Sequence, residues 1–186
     1  MHVAAASSPA TAPAGAPARP RLSLEAGAGL WTRRPGTGTG VFGLRLAFAN
    51  VEAALSVLAP RAPAGEQHAD GGVVEVSVLG MAISLGLVRE GARLRLHGGP
   101  LAIVSRESAR STGIAISGEN AATTAALGLA TGASWRLWAG FQLGFDAGLA
   151  HALLGNRFVV GGWGPVLPPP PWQGVVLARL GYTVSR

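Results

Sequence analysis

Between residues 123 and 150 apolar and polar side chains alternate with a period of two. Leu127, Leu129, Ala133, Trp135 and Leu137 share one phase, continued after a short interruption by Phe141, Leu143, Phe145, Ala147 and Leu149. The intervening positions are Gly128, Ala130, Gly132, Ser134 and Arg136, then Gln142, Gly144, Asp146 and Gly148. Successive strand side chains point to opposite faces, so this pattern predicts two strands. Each is about ten residues long, and a tight turn at Trp138, Ala139 and Gly140 joins them, which is the length and dyad pattern of a transmembrane β-hairpin.

The same alternation recurs along the chain. Residues 22–31 set Leu22, Leu24, Ala26, Ala28 and Leu30 against Ser23, Glu25, Gly27 and Gly29. Residues 41–49 set Phe42, Leu44, Leu46 and Phe48 against Gly43, Arg45 and Ala47, and residues 51–58 set Val51, Ala53, Leu55 and Val57 against Glu52, Ala54 and Ser56. In the fourth segment Val74, Val76 and Val78 take one phase and Met81, Ile83, Leu85 and Leu87 the other, which predicts a bulge near Leu79 or Gly80. Residues 92–105 place Leu94 and Leu96 opposite Arg93, Arg95 and His97, and residues 174–184 place Val176, Ala178, Leu180, Tyr182 and Val184 opposite Arg179, Gly181 and Thr183.

Connections alternate between long (32–40, 59–71, 106–120 and the stretch before residue 174) and short (around Asn50, 89–91 and 138–140). That order predicts an all-β fold: a closed, antiparallel, up-and-down barrel of about eight strands, with short periplasmic turns and longer outer loops. Within the fourth long connection, 158–160 and 166–167 flank Gly161, Gly162, Trp163 and Gly164 and read as an outward hairpin. The tetraproline Pro168 to Pro171 stiffens the chain where it re-enters the wall.

Charge decides what each phase faces. Glu25, Arg45, Glu52, Glu75, Arg93, Arg95, Arg136, Asp146 and Arg179 all lie opposite the large apolar set. A soluble barrel would show the same segregation, but the rest of the charged phase is mainly Gly and Ala. Those residues make a poor solvated surface and suit a narrow lumen crossed by a few long polar side chains. Mixed signs in a low dielectric pair, so these nine residues are expected to form a polar network plugging the lumen. The rival expectation is a lumen that binds or passes a small ligand.

Composition agrees with one membrane-embedded domain. The chain has 186 residues, 28 of them glycine, with 48% hydrophobic and 13% charged residues. Residues 1–20 read as a flexible Ala/Pro segment and residues 21–186 as the barrel. Residues 1–20 lack the features of a signal peptide, so for an exported protein either the true start lies upstream or the chain is a piece of a longer one. No apolar run reaches the length of a membrane helix; the nearest, 72–88, contains Glu75. All 15 cationic side chains are arginine, spread along the chain without forming a stripe and outside any nucleic-acid motif, so no nucleic-acid partner is expected. With no cysteine, and with His2, His68, His97 and His151 lacking metal-ligand spacing, no metal or other cofactor is expected.

Other candidate chemistry is thin. Near the outer rim His151 is the one plausible base, with Ser105, Ser108 and Ser111 as nucleophiles in no recognisable motif, so no catalytic residue is assigned. Arg33, Arg34, Arg106, Arg110 and Arg157 are expected in outer loops, as solvated charge by default and within reach of lipopolysaccharide phosphates as the alternative. Phe42 near the outer ends, and Phe48, Trp135, Trp138, Phe141 and Tyr182 near the inner ends, fit interfacial girdles. Trp31, on the polar phase, does not.

From Arg136 to Arg186 the alternating strand, the NRFVVGGWGPVLPPPPWQG stretch and the closing GVVLARLGYTV resemble small outer-membrane β-barrel proteins of Gram-negative bacteria with high-GC genomes. The ARLRLHGG and SGENAATTAALGLATGASWRL stretches extend the resemblance through most of the chain after Arg21. More broadly the chain is similar to the eight-stranded transmembrane domain of outer membrane protein A. The resemblance implies a bacterial outer-membrane location, with outer-membrane lipid and the barrel assembly machinery as partners. It implies a structural or interaction role without catalysis; the alternatives are a soluble lipocalin-like binder and a lipid A-modifying barrel enzyme.

Overall fold

The structure, a computed structural model, describes residues 20–33, 38–60, 63–67, 71–113, 119–154, 158–160, 164–166 and 170–184. Apart from Pro20, the expected Ala/Pro segment lies outside them. The strands in chain order are β1 (Arg21–Trp31), β2 (Gly38–Phe48), β3 (Val51–Pro60), β4 (Ala64–Gln67), β5 (Val73–Glu90), β6 (Leu94–Thr112), β7 (Glu119–Arg136), β8 (Phe141–Leu154), β9 (Phe158–Val160), β10 (Gly164–Val166) and β11 (Trp172–Val184). Eight of them, β1, β2, β3, β5, β6, β7, β8 and β11, pair antiparallel in that order and form the barrel wall. The ring closes where Leu22 meets Val184 and where Val51 meets Leu87. Short β4 adds to the outer end of β5. The expected outer hairpin is present as β9 paired with β10.

Both described chain ends and the short turns lie at one mouth, and the long connections lie at the other. The 138–140 turn is of type I′: Ala139 and Gly140 have φ of 50° and 86°, and the Phe141 N–H donates to the Trp138 carbonyl at 3.0 Å. Its backbone twist matches that of the flanking strands.

β5, β6 and β7 are longer than the alternation predicts, at 18, 19 and 18 residues. Much of the expected 106–120 loop is therefore strand. A bilayer needs about ten strand residues, so these three strands rise beyond it at the outer end. The expected bulge near Leu79 or Gly80 is absent: β5 and β6 keep one register from Val73 opposite Thr112 to Glu90 opposite Arg95. Among the described residues the register shift falls instead between Ala125 and Ala126, where β7 meets the outer end of β8.

The exterior is a belt of large apolar residues, with Leu24, Leu44, Leu55, Ile83, Leu129, Phe145, Leu149 and Leu180 all exposed. Near the inner mouth Phe48, Trp135, Trp138, Phe141 and Tyr182 stand exposed, with the Phe141 and Tyr182 rings edge to face at 5.2 Å. Such a surface requires lipid, and it is the reverse of a soluble lipocalin-like barrel. The interior has two zones. Toward the outer end it is packed with Trp31, Val41, Leu58, Val74, Val76, Val78, Ile103, Val175 and Leu177. Toward the inner mouth it is polar.

Candidate functional site

The polar zone is assembled one side chain at a time from the inward phase of six strands. Arg45 from β2 is its hub. Its Nε donates to Glu25 Oε1 of β1 at 2.9 Å, one Nη donates to Glu52 Oε1 of β3, and the other lies 3.5 Å from Asp146 Oδ1 of β8. Arg179 of β11 closes the ring by pairing with Glu25 Oε2 and Asp146 Oδ2, and Arg95 of β6 holds Glu52 Oε2 at 2.6 Å. Three guanidinium groups thus meet three carboxylates. Each is too far from water to be left alone, and the alternation of sign lets every charge touch its opposite.

His97, two residues after Arg95 on the same face, completes the cluster. Its Nε2 lies 2.6 Å from Asp146 Oδ1 and 3.2 Å from an Arg45 Nη. A carboxylate only accepts, so the shorter contact, with Asp146, places the proton on Nε2 and leaves the Arg45 approach without a hydrogen bond, while Nδ1 has no partner among the described residues. Gly132 of β7 leaves the space: a Cβ there would strike both His97 and Asp146. Above the cluster a cavity of about 60 Å³ separates it from the apolar packing, with Ser56, Ser84, Gly99, Ala130 and Gly148 in its wall. That is room for a few waters and far below the roughly 300 Å³ at which small-molecule sites begin.

Six of the nine residues expected in the lumen therefore converge: Glu25, Arg45, Glu52, Arg95, Asp146 and Arg179. The other three do not. Arg136 stands at the inner mouth, half-exposed, and shares Glu90 with Arg21. Arg93 is exposed in the turn before β6. Glu75 is on the outer face of β5, exposed, because the phase of that strand runs unbroken through Leu79 and carries Val74, Val76 and Val78 inward. The expectation that every strand charge faces the lumen fails there.

Sequence reasoning also missed members. His97 and Gln142 share the inward phase and were readable as such; Gln142 Nε2 donates to Glu25 Oε1 at 3.4 Å. Arg33, expected in an outer loop, is instead buried against Glu107 of β6 with Nε 2.5 Å from Oε1. Glu107 went unassigned because 106–120 read as loop, although Ser105, Glu107 and Ala109 continue the alternation.

Of the remaining outer arginines, Arg34 and Arg157 lie outside the described residues. Arg110 stands exposed on β6 between register partners Glu75 and Glu119, and exposed Arg106 stands between Leu79 and Thr123. The candidate base His151 faces outward with its ring edge to face on Trp172 at 4.8 Å. Ser105 faces inward, bonded to Thr124 at 2.7 Å, so barrel wall separates the two. Ser108 pairs with Ala121 and His151 with Leu127, six residues apart along β7, or about 20 Å.

No protein family and no curated protein matches the chain. Solved structures do match. A major outer membrane protein of Thermus thermophilus aligns with a TM-score of 0.66 at 13% identity, covering 89% of this chain and all of that one. The attachment invasion locus protein Ail of Yersinia pestis, solved in complex with the heparin analogue sucrose octasulfate, aligns with a TM-score of 0.55 at 10% identity over 91% of this chain and all of that one. What this chain shares with them is the eight-stranded, antiparallel outer-membrane β-barrel fold.

Proposed function

We propose that this chain is an outer-membrane barrel with a structural or interaction role, its lumen plugged rather than conducting. The observation that carries the reading is the stacking of two different fillings in one narrow bore. Near the inner mouth the side chains of Arg45, Arg95 and Arg179 cross to Glu25, Glu52 and Asp146. Beyond them Leu58, Ile103, Val175 and Leu177 fill the section with hydrocarbon. An ion would have to displace paired charges and then cross a mainly apolar stretch whose polar groups, such as Arg33 with Glu107 and Ser105 with Thr124, are themselves paired, and each alone is a high barrier. Function then lies at the ends: the strands β5 to β7 raise a surface above the bilayer, as an interaction protein needs.

Recording from the folded protein in planar phospholipid bilayers tests the plug. No steady conductance step is expected in molar potassium chloride, and a reproducible open level would overturn it. Location is tested by fractionation: recovery in the outer-membrane fraction with heat-modifiable gel migration is expected, and release into the periplasm without detergent would refute it.

A further inference from the structure

Below the balanced cluster, at the inner mouth, the charges no longer balance. A vestibule of about 280 Å³ opens there, lined by Arg21, Arg95 and Arg136 with Glu90, and by the polar side chains of Ser134, Gln142 and Thr183. Arg21 Nη1 and Arg136 Nη2 converge on the same oxygen, Oε1 of Glu90. Two guanidinium groups thus share one carboxylate oxygen. Arg95, from the cluster above, forms part of the vestibule wall. Its side chain is only 9% exposed, and its Nε is buried with no partner among the described residues, because its one ion pair, to Glu52, uses Nη2. Arg89 and Arg93 are exposed at the same end, where Glu90 is the one carboxylate of the rim among the described residues.

We infer that the inner vestibule is a phosphate-binding site, in which one phosphate group takes the place Glu90 now holds between Arg21 and Arg136, with Arg95 adding positive charge from the wall. The position of Glu90 Oε1 marks where a ligand oxygen would sit. Phosphate fits better than a carboxylate: a monoester carries close to two negative charges at neutral pH on three acceptor oxygens, a diester headgroup keeps a permanent single charge on two, and guanidinium forks match either two bonds at a time. Glu90 is exposed at the mouth and ends its strand, so it is free to swing out and leave both arginines to the ligand. The phosphate reaches the site either from solution, as a small phosphate ester, or as the headgroup of an inner-leaflet phospholipid. Because the vestibule lies outside the paired cluster, phosphate can bind there whether or not the lumen conducts.

The test is calorimetric titration of the folded full chain in maltoside micelles with inorganic phosphate against chloride at matched ionic strength. One saturable site is expected. Arg21→Gln with Arg136→Gln should weaken it at least about tenfold, Arg110→Gln on the outer face should leave it unchanged, and Glu90→Gln should tighten it several-fold by removing the internal competitor. Heat-modifiable migration confirms that each variant is folded; should the double variant fail, Arg136→Gln alone, on a half-exposed side chain, carries the comparison. Repeating the titration in phospholipid nanodiscs separates the sources: retained binding assigns a soluble ester, and binding seen only in micelles assigns a headgroup already in place. No saturable phosphate response, equal binding by wild type and the arginine variants, or weaker binding by Glu90→Gln would overturn the inference.

Discussion

Arg45 touches three carboxylates donated by three different strands, so β1, β3 and β8 are tied to β2 through one guanidinium. Replacing it by Met leaves three buried carboxylates, Glu25, Glu52 and Asp146, to two guanidinium groups, Arg95 and Arg179. Removal of one partner from such a pair costs about 3–5 kcal/mol, and urea unfolding of Arg45→Met in lipid vesicles should show a loss in that range. The Arg33 and Glu107 pair, 1% and 0% exposed amid apolar packing, should behave differently when both partners go. Arg33→Leu alone should cost about as much as the loss of Arg45, whereas Arg33→Leu with Glu107→Leu should recover most of it, because hydrophobic replacement of a whole buried pair is often neutral or stabilising. A double variant as unstable as the single would show that the pair holds the outer end of β1 in a way packing cannot replace.

Along each strand the alternation told which residues share a face, and that sufficed for Glu25, Arg45 and Glu52, whose opposite phase is unmistakably greasy. It did not tell which face is inside where the environment outside the barrel changes. On β5 the outward residues are Leu79, Met81, Ile83, Leu85 and Leu87 against lipid, then Ser77 and Glu75 beyond it, while the inward residues run from Gly86, Ser84 and Ala82 to Val78, Val76 and Val74. The apolar phase switches sides with no irregularity in the backbone, because the strand leaves the bilayer. A switch of phase within a long strand therefore marks the membrane boundary as readily as a bulge. Trp31 belongs to the same zone: it points inward at the outer end of β1 and is 3% exposed, with its ring over Gly80 of β5. A Cβ at Gly80 would lie 2.5 Å from the ring, so Gly80→Val should cost about 1–3 kcal/mol by overpacking, and Trp31→Leu in the same chain should relieve part of it, measured by the same unfolding assay. The turn between β2 and β3 offers the opposite sign. Ala49 sits at φ 51°, a left-handed conformation that costs an L-residue about 1 kcal/mol. Ala49→Gly should raise stability by about that amount, and no change would mean the turn relaxes in the bilayer.

For the whole molecule, the position of the bilayer along the strands follows from the same switch of phase and has a direct energetic test. Ile83 and Leu79 face outward on one strand, four residues or about 13 Å apart, and are similarly exposed at 44% and 56%. Fold and packing alone would make an arginine at either site cost about the same. A bilayer centred on the apolar belt makes them unequal, because lipid-face arginine costs about 2–4 kcal/mol at the midplane and about 0–1 kcal/mol near the interface. Leu79 adjoins Arg106 in register and sits where the outward face turns polar, so it belongs to the interface, whereas Ile83 lies within the belt between Leu55 and Ala102. Ile83→Arg should therefore lose at least about 2 kcal/mol more than Leu79→Arg in phospholipid vesicles, with the gap closing in short-chain micelles that have no fixed thickness. Equal losses in vesicles would move the outer boundary of the bilayer up past Leu79 and place Glu75 and Arg110 at its surface, so that the raised sheet of β5, β6 and β7 would stand lower over the membrane than the switch of phase implies.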